Sequence, residues 1–136
     1  MGGDEAEIVQ GTEHRQVSVL LRDQRADRCV LILAEASLTP LAGIRPFANI
    51  AVGERAYSVG APWGRELTIG EGTVSALHPN NGFPLVQTTA PILPGSSGGA
   101  LVDARGNLLG IVSFRVREDN AMGFALAAES FWAPRQ

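Results

Sequence analysis

Sixteen glycines and eight prolines break this 136-residue chain into short runs rich in Val, Ile, Leu and Thr. Short β-forming runs between turn residues are the pattern of all-β sandwiches and barrels, and it leaves little room for long helices. Residues 15–22 form the first clear strand pattern, with Val17, Val19 and Leu21 on one face, and residues 28–34 form a second. A turn over residues 49–54 leads into a strand at 56–59, and the expected subdomain boundary lies there, dividing residues 1–52 from 53–136. Beyond it, residues 67–77 read as a strand with Gly70 and Gly72 as bulge or bend points, and Asn80-Asn81-Gly82 reverses the chain into 85–89. Pro91 and Pro94 keep residues 90–97 irregular, after which strands are expected at 100–102, 108–116 and 122–126, with turns at 103–107 and 117–120. Only residues 127–132 read as a helix.

At 45% hydrophobic and 18% charged residues, the chain is too apolar for disorder, and it lacks the unbroken apolar run of a membrane helix. Its net charge of −3 comes with no basic stripe, so neither nucleic acid nor a membrane is an expected partner. The single cysteine, Cys29, opens the apolar run Cys29-Val30-Leu31-Ile32-Leu33 and is expected to be a buried, inert thiol. With only His14 and His78 beside it, no metal-ligand set can be assembled, and nothing implies a cofactor. The first residues lack the charged-then-apolar order of a secretion signal, so the compartment is not readable.

The string Pro94-Gly95-Ser96-Ser97-Gly98-Gly99-Ala100 carries the chemistry. Glycines around a serine let backbone N–H groups crowd its hydroxyl without Cβ clashes, and such a loop can cradle an oxyanion. By composition alone a Gly/Ser pentamer is a flexible linker, but linkers separate folded units, whereas this one lies between two apolar strands. Gly95, Ser97 and Gly99 also fit the Gly-x-Ser-x-Gly elbow of α/β-hydrolases. That elbow needs a helix after the serine and a later histidine, and here a strand, a turn and another strand follow with no histidine after Ser97.

Five landmarks in order resemble the trypsin-like double-barrel serine proteases, in particular their HtrA/Deg branch. They are Gly53 to Gly60 with Ala61-Pro62-Trp63-Gly64; Gly72 to Leu77; Val86-Gln87-Thr88 running to the Ser97 loop; Gly110-Ile111-Val112-Ser113-Phe114; and Gly123-Phe124-Ala125. The resemblance implies a chymotrypsin-like double β-barrel with an incomplete first barrel, a complete second barrel and a short C-terminal helix. It implies serine endopeptidase activity on polypeptides, with Ser97 as nucleophile and the amides of Gly95 and Ser97 as oxyanion donors. Asp27, ahead of an apolar strand, would be the triad acid. Residues 90–93, including Ile92, would floor the specificity pocket, with Ser113, Phe114 and Gly123 as walls. No carboxylate stands among them, so small or aliphatic P1 side chains are expected.

The family's histidine precedes its aspartate by more than one strand, and His14 lies only 13 positions before Asp27. His14 is therefore a weak base candidate, expected in an exposed loop, and His78 follows Asp27 and abuts Pro79 in an expected surface turn. The chain is expected to begin after the family's histidine, which a complementing N-terminal segment or chain would supply. A serine without its base loses on the order of 10⁴ to 10⁶ in rate. The alternative reading is a non-catalytic barrel that binds extended peptides by adding a strand along residues 110–116.

Overall fold

The structure, a computed structural model, describes residues 5–25, 28–33, 38–64, 66–116 and 122–131, with backbone only at 81 and 114–116. It contains two compact units, Met1–Pro40 and Leu41–Gln136.

The first unit is an antiparallel sheet of order β1-β2-β3, formed by Glu5–Gln10, Glu13–Asp23 and Arg28–Ile32. β1 precedes the first strand expected from sequence, because charged residues alternate with the half-buried Ala6 and Ile8 and hide the apolar signal. In β2, Val17 is 4% exposed and Leu20 is 64% exposed, as strand alternation requires. Leu20 is the extra residue of a bulge, between the pairs Val19↔Leu31 and Leu21↔Val30. Cys29 is exposed, against the expectation of burial. It shares β3 with the half-buried Arg28 and Val30, and the pleat turns it to the other face of the sheet.

The second unit is a closed antiparallel barrel of order β4-β5-β6-β9-β8-β7. Its strands are Arg55–Gly60 (β4), Thr68–His78 (β5), Leu85–Thr88 (β6), Ala100–Asp103 (β7), Leu108–Val116 (β8) and Met122–Ala127 (β9). Closure comes from β4 pairing with both β5 and β7. Inside lie Ile50, Ala56, Val74, Val86, Leu101, Leu109 and Ala125. Each fully buried leucine contributes about 1.5–3 kcal/mol through loss of apolar surface to water.

Residues 41–52 fold with the barrel, so the division falls twelve residues before the expected one. The Arg45 amide donates to the Leu108 carbonyl and the Leu108 amide to Gly43, both at 2.9 Å. The Arg45 guanidinium then ties this segment to the barrel wall, donating to Glu54 Oε1 at 3.0 Å, to Asp103 Oδ2 at 3.1 Å and to the Asn49 carbonyl. Glu54 hydrogen bonds hold the Arg45 guanidinium above its ordinary pKa, with Asp103 adding to the effect. Burial pushes the Asp103 carboxyl up, but hydrogen bonds from the Asn107 and Arg105 amides, the Arg45 guanidinium and the Asn107 side chain outweigh it and hold the group below its ordinary value.

Gly70 and Gly72 sit in regular β5 pairing and mark no bulge; the bulge falls at Ser75. The two glycines instead allow close approach. A Cβ on Gly72 would lie 2.2 Å from the Ala90 amide nitrogen, and one on Gly70 would lie 2.7 Å from Pro91 Cδ. The expected C-terminal helix is a single 3₁₀ turn, Ala128–Phe131, because β9 runs through Ala127; Trp132 and the turn at 117–120 lie outside the described residues.

Candidate active site

The loop between β6 and β7 is fastened at both ends. At its entry, Thr88 Oγ1 donates to the Thr73 carbonyl at 2.8 Å and accepts from the Ala90 amide at 3.0 Å. Ser58, an inward-facing polar residue of β4, donates to the Pro91 carbonyl at 2.6 Å. At its exit, the Gly98 amide donates to the Val112 carbonyl and the Val112 amide to the Gly99 carbonyl, both at 2.8 Å. Sequence reading missed Ser58; its one signal was a hydroxyl at an inward position of an otherwise apolar strand face.

Between these anchors the backbone turns sharply. Gly95 has φ +89° and Gly98 φ +90°, a region in which an L side chain is strained. The Trp63 amide donates to the Pro94 carbonyl at 3.0 Å, and a Cβ on Gly95 would lie 2.7 Å from that same Trp63 nitrogen. The Ser96 amide closes a turn onto Leu93, and the Gly99 amide one onto Ser96. The amides of Gly95 and Ser97 donate to no acceptor among the described residues.

Ser97 is exposed at the tip of this turn, and its Oγ donates to the Ser113 carbonyl at 3.0 Å. Ser113 is the extra residue of a β8 bulge, between Val112↔Ala125 and Phe114↔Phe124. A bulge re-aims the groups it carries, and here a main-chain carbonyl reaches the loop. Ile92 is 7% exposed and packs over β9: a Cβ on Gly123 would fall 2.3 Å from Ile92 Cδ1. The loop thus brings Gly95 and Ser97 together with Ser113, and Ile92 with Gly123. The Phe114 side chain lies outside the described residues, as does Asp27.

Neither histidine occupies the place expected from sequence. His14 is exposed but stands in β2, not in a loop, with Nδ1 2.8 Å from Glu7 Oε1. It belongs to the first unit and Ser97 to the second. His78 ends β5 half-buried, its Nε2 2.8 Å from Gln87 Oε1 and its ring centroid 5.9 Å from that of Phe124. Strand β5 runs through His78, so His78 is laddered opposite Leu85 where a surface turn was expected. Among the described residues no group of three or more His, Cys, Asp or Glu could hold a metal ion.

The chain is 34% identical over 133 residues to the "Probable periplasmic serine endoprotease DegP-like" of Hahella chejuensis, covering 93% of this chain and 28% of that protein. It is 29% identical over 119 residues to the "Serine protease Do-like HtrA" of Bacillus subtilis, covering 79% of this chain and 26% of the relative. The chain therefore spans little more than a quarter of either. Among solved structures, "HtrA-type protease AlgW with decapeptide" superposes with a TM-score of 0.82 at 28% identity, covering 94% of this chain and 42% of that one. The shared fold is the chymotrypsin-like double barrel, represented here by a closed six-stranded barrel and a second, three-stranded sheet. A family model described as "Trypsin-like peptidase domain" matches residues 2–111, and this chain belongs to that family, on its HtrA branch.

Proposed function

We propose that the protein is a serine endopeptidase that cleaves polypeptides through an acyl-enzyme on Ser97. The observation that carries this reading is the exposed Ser97 hydroxyl on a glycine-bounded turn whose Gly95 and Ser97 amides are uncommitted. In the reacting state Ser97 Oγ bonds to the scissile carbonyl carbon, its proton passes to a base, and the carbonyl electrons move onto oxygen. The two open amides are the donors that would take up that charge. The chemistry needs no cofactor.

The Ser97 proton rests on a carbonyl, which cannot serve as the base. Because His14 lies only 13 positions before Asp27 and His78 follows Asp27 with its Nε2 on Gln87, we assign the base to a histidine from a complementing N-terminal segment or chain, oriented by Asp27. The β1-β2-β3 sheet is then the remnant of the first barrel. Ile92 lying over Gly123 supports small or aliphatic P1 residues, and we assign the pocket walls to Ser113, Phe114 and Gly123 on the family resemblance.

A second reading rests on a different observation. β7 pairs with β8 only as far as Ile111, so β8 continues past the end of β7 along one edge. An extended peptide added there would bind without being cut. Residues 110 and 111, included in that edge by sequence, are already laddered on both sides. Terminal-peptide mass spectrometry of a denatured proteome treated with the native protein separates the two. New termini after small or aliphatic residues, absent with Ser97→Ala, support the peptidase; peptide retention with no new termini supports the binding barrel.

A further inference from the structure

Among the described residues, Trp63 is the one bulky side chain in the left-handed region, at φ +55° and ψ +25°. It stands third in the turn Ala61-Pro62-Trp63-Gly64, which the Gly64 amide closes onto the Ala61 carbonyl at 3.0 Å. Proline in second place and a left-handed residue in third make this a type II turn, whose third place favours glycine. A type I turn would take a tryptophan there without strain. The two types differ by roughly a half-turn of the central peptide, so in type I the Trp63 N–H would point the other way. The strained turn is therefore what aims that N–H at the Pro94 carbonyl of the nucleophile loop, 3.0 Å away.

The Pro94 carbonyl belongs to the same peptide unit as the Gly95 N–H. The unit is planar and trans, so its C=O and N–H point in opposite directions, and fixing one fixes the other. Glycine's wide φ range would otherwise let the unit turn over. The lack of a side chain at Gly95 also admits the contact, since a Cβ there would lie 2.7 Å from the Trp63 nitrogen. The Gly95 N–H is left pointing away from Trp63, with no acceptor among the described residues. We propose that Trp63 is a positioning residue: its main-chain N–H holds the Pro94–Gly95 peptide unit in the orientation that presents the Gly95 N–H to the oxyanion. The inference rests on the peptidase reading of Ser97, but the orientation itself is readable without turnover.

The test replaces Trp63 with indole-3-lactic acid, which keeps the indole and exchanges only the N–H for an ester oxygen. With the complementing segment or chain present, kcat for a peptide p-nitroanilide with valine at P1 should fall about 10- to 100-fold at unchanged KM, a part of the loss that follows removal of an oxyanion donor. Affinity for the matching peptidyl boronic acid, whose tetrahedral adduct places an oxygen at the same donors, should fall in parallel. Trp63→Gly keeps the N–H and takes the left-handed conformation freely, so it should stay within about threefold of the wild type. In NMR spectra recorded without substrate, the Gly95 amide should broaden or split in the ester variant and stay a single sharp signal in Trp63→Gly. A Gly95 amide still single and sharp in the ester variant overturns the inference, as does an unchanged kcat, a loss confined to KM, or a Trp63→Gly variant as slow as the ester. A wild type that does not turn over, with a Gly95 amide that still splits in the ester variant, counts against the peptidase reading and for the orientation.

Discussion

The Ser97 hydroxyl donates to the Ser113 carbonyl at 3.0 Å, so the candidate nucleophile is held by main chain and not by another side chain. Its position depends on two backbone irregularities, the β8 bulge and the turn with Gly95 and Gly98 at positive φ. The two glycines separate strain from collision. An alanine at Gly98 meets nothing within 4 Å, whereas one at Gly95 meets the Trp63 amide. Gly98→Ala is expected to cost about 1 kcal/mol of stability from its φ alone. Gly95→Ala should cost about 2–3 kcal/mol and slow acylation of Ser97 about 100-fold by displacing an oxyanion donor. Denaturant unfolding and labelling rates of the two variants check both figures.

The Arg45–Asp103 pair predicts acid sensitivity. Because the folded Asp103 carboxyl is held below its ordinary value of about 3.9, its contribution is complete above that value and is lost as pH falls through the folded one. Stability of the wild type should therefore drop below about pH 4. Asp103→Asn should lose about 3 kcal/mol at neutral pH, the lower end for breaking a buried pair whose arginine is partly exposed, and show a shallower acid limb. Chemical unfolding across pH 3 to 7 measures both slopes.

Gly72 is a packing position, not a flexible one. A methyl there falls 2.2 Å from the Ala90 nitrogen and 2.6 Å from its Cα, and backbone cannot swing aside as a side-chain tip can. Gly72→Ala should cost about 3 kcal/mol or more. Gly53→Ala, with φ +94° and open space, should cost only about 1 kcal/mol in the same thermal melts.

If Ile92 fills the space above Gly123, removing it should deepen the specificity pocket. Ile92→Ala is expected to move the ratio of kcat/KM for Phe over Ala at P1 upward by about tenfold, the scale of a few methylenes in an apolar pocket. Matched peptide substrates differing only at P1 provide the measurement.

The parts of this fold that were legible in the sequence are those written in local chemistry. Asn80-Asn81-Gly82 forms the expected reversal, and β8 runs from Leu108 to Val116 as its apolar pattern foretold. Long-range relations left no such mark. Arg45 and Asp103 are 58 positions apart and meet only because residues 43–45 dock on Leu108. Gly70 and Gly72 look like bend residues because a close approach by another strand's loop is invisible to a local reading. Cys29 was misjudged for a related reason: an apolar run does not say which of its alternating residues faces outward in a three-stranded sheet. At the site, the serine and its glycines were readable, but the bulge that brings the Ser113 carbonyl to Ser97 was not.

The central claim is that Ser97 is a powered nucleophile in the native polypeptide. Fluorophosphonate labelling followed by peptide mass spectrometry tests it most directly. The account predicts stoichiometric modification of Ser97, abolished by Ser97→Ala and unchanged by His14→Ala or His78→Ala. A folded protein that takes no label with its complementing segment or chain present, or a label lost with His14→Ala, would contradict it.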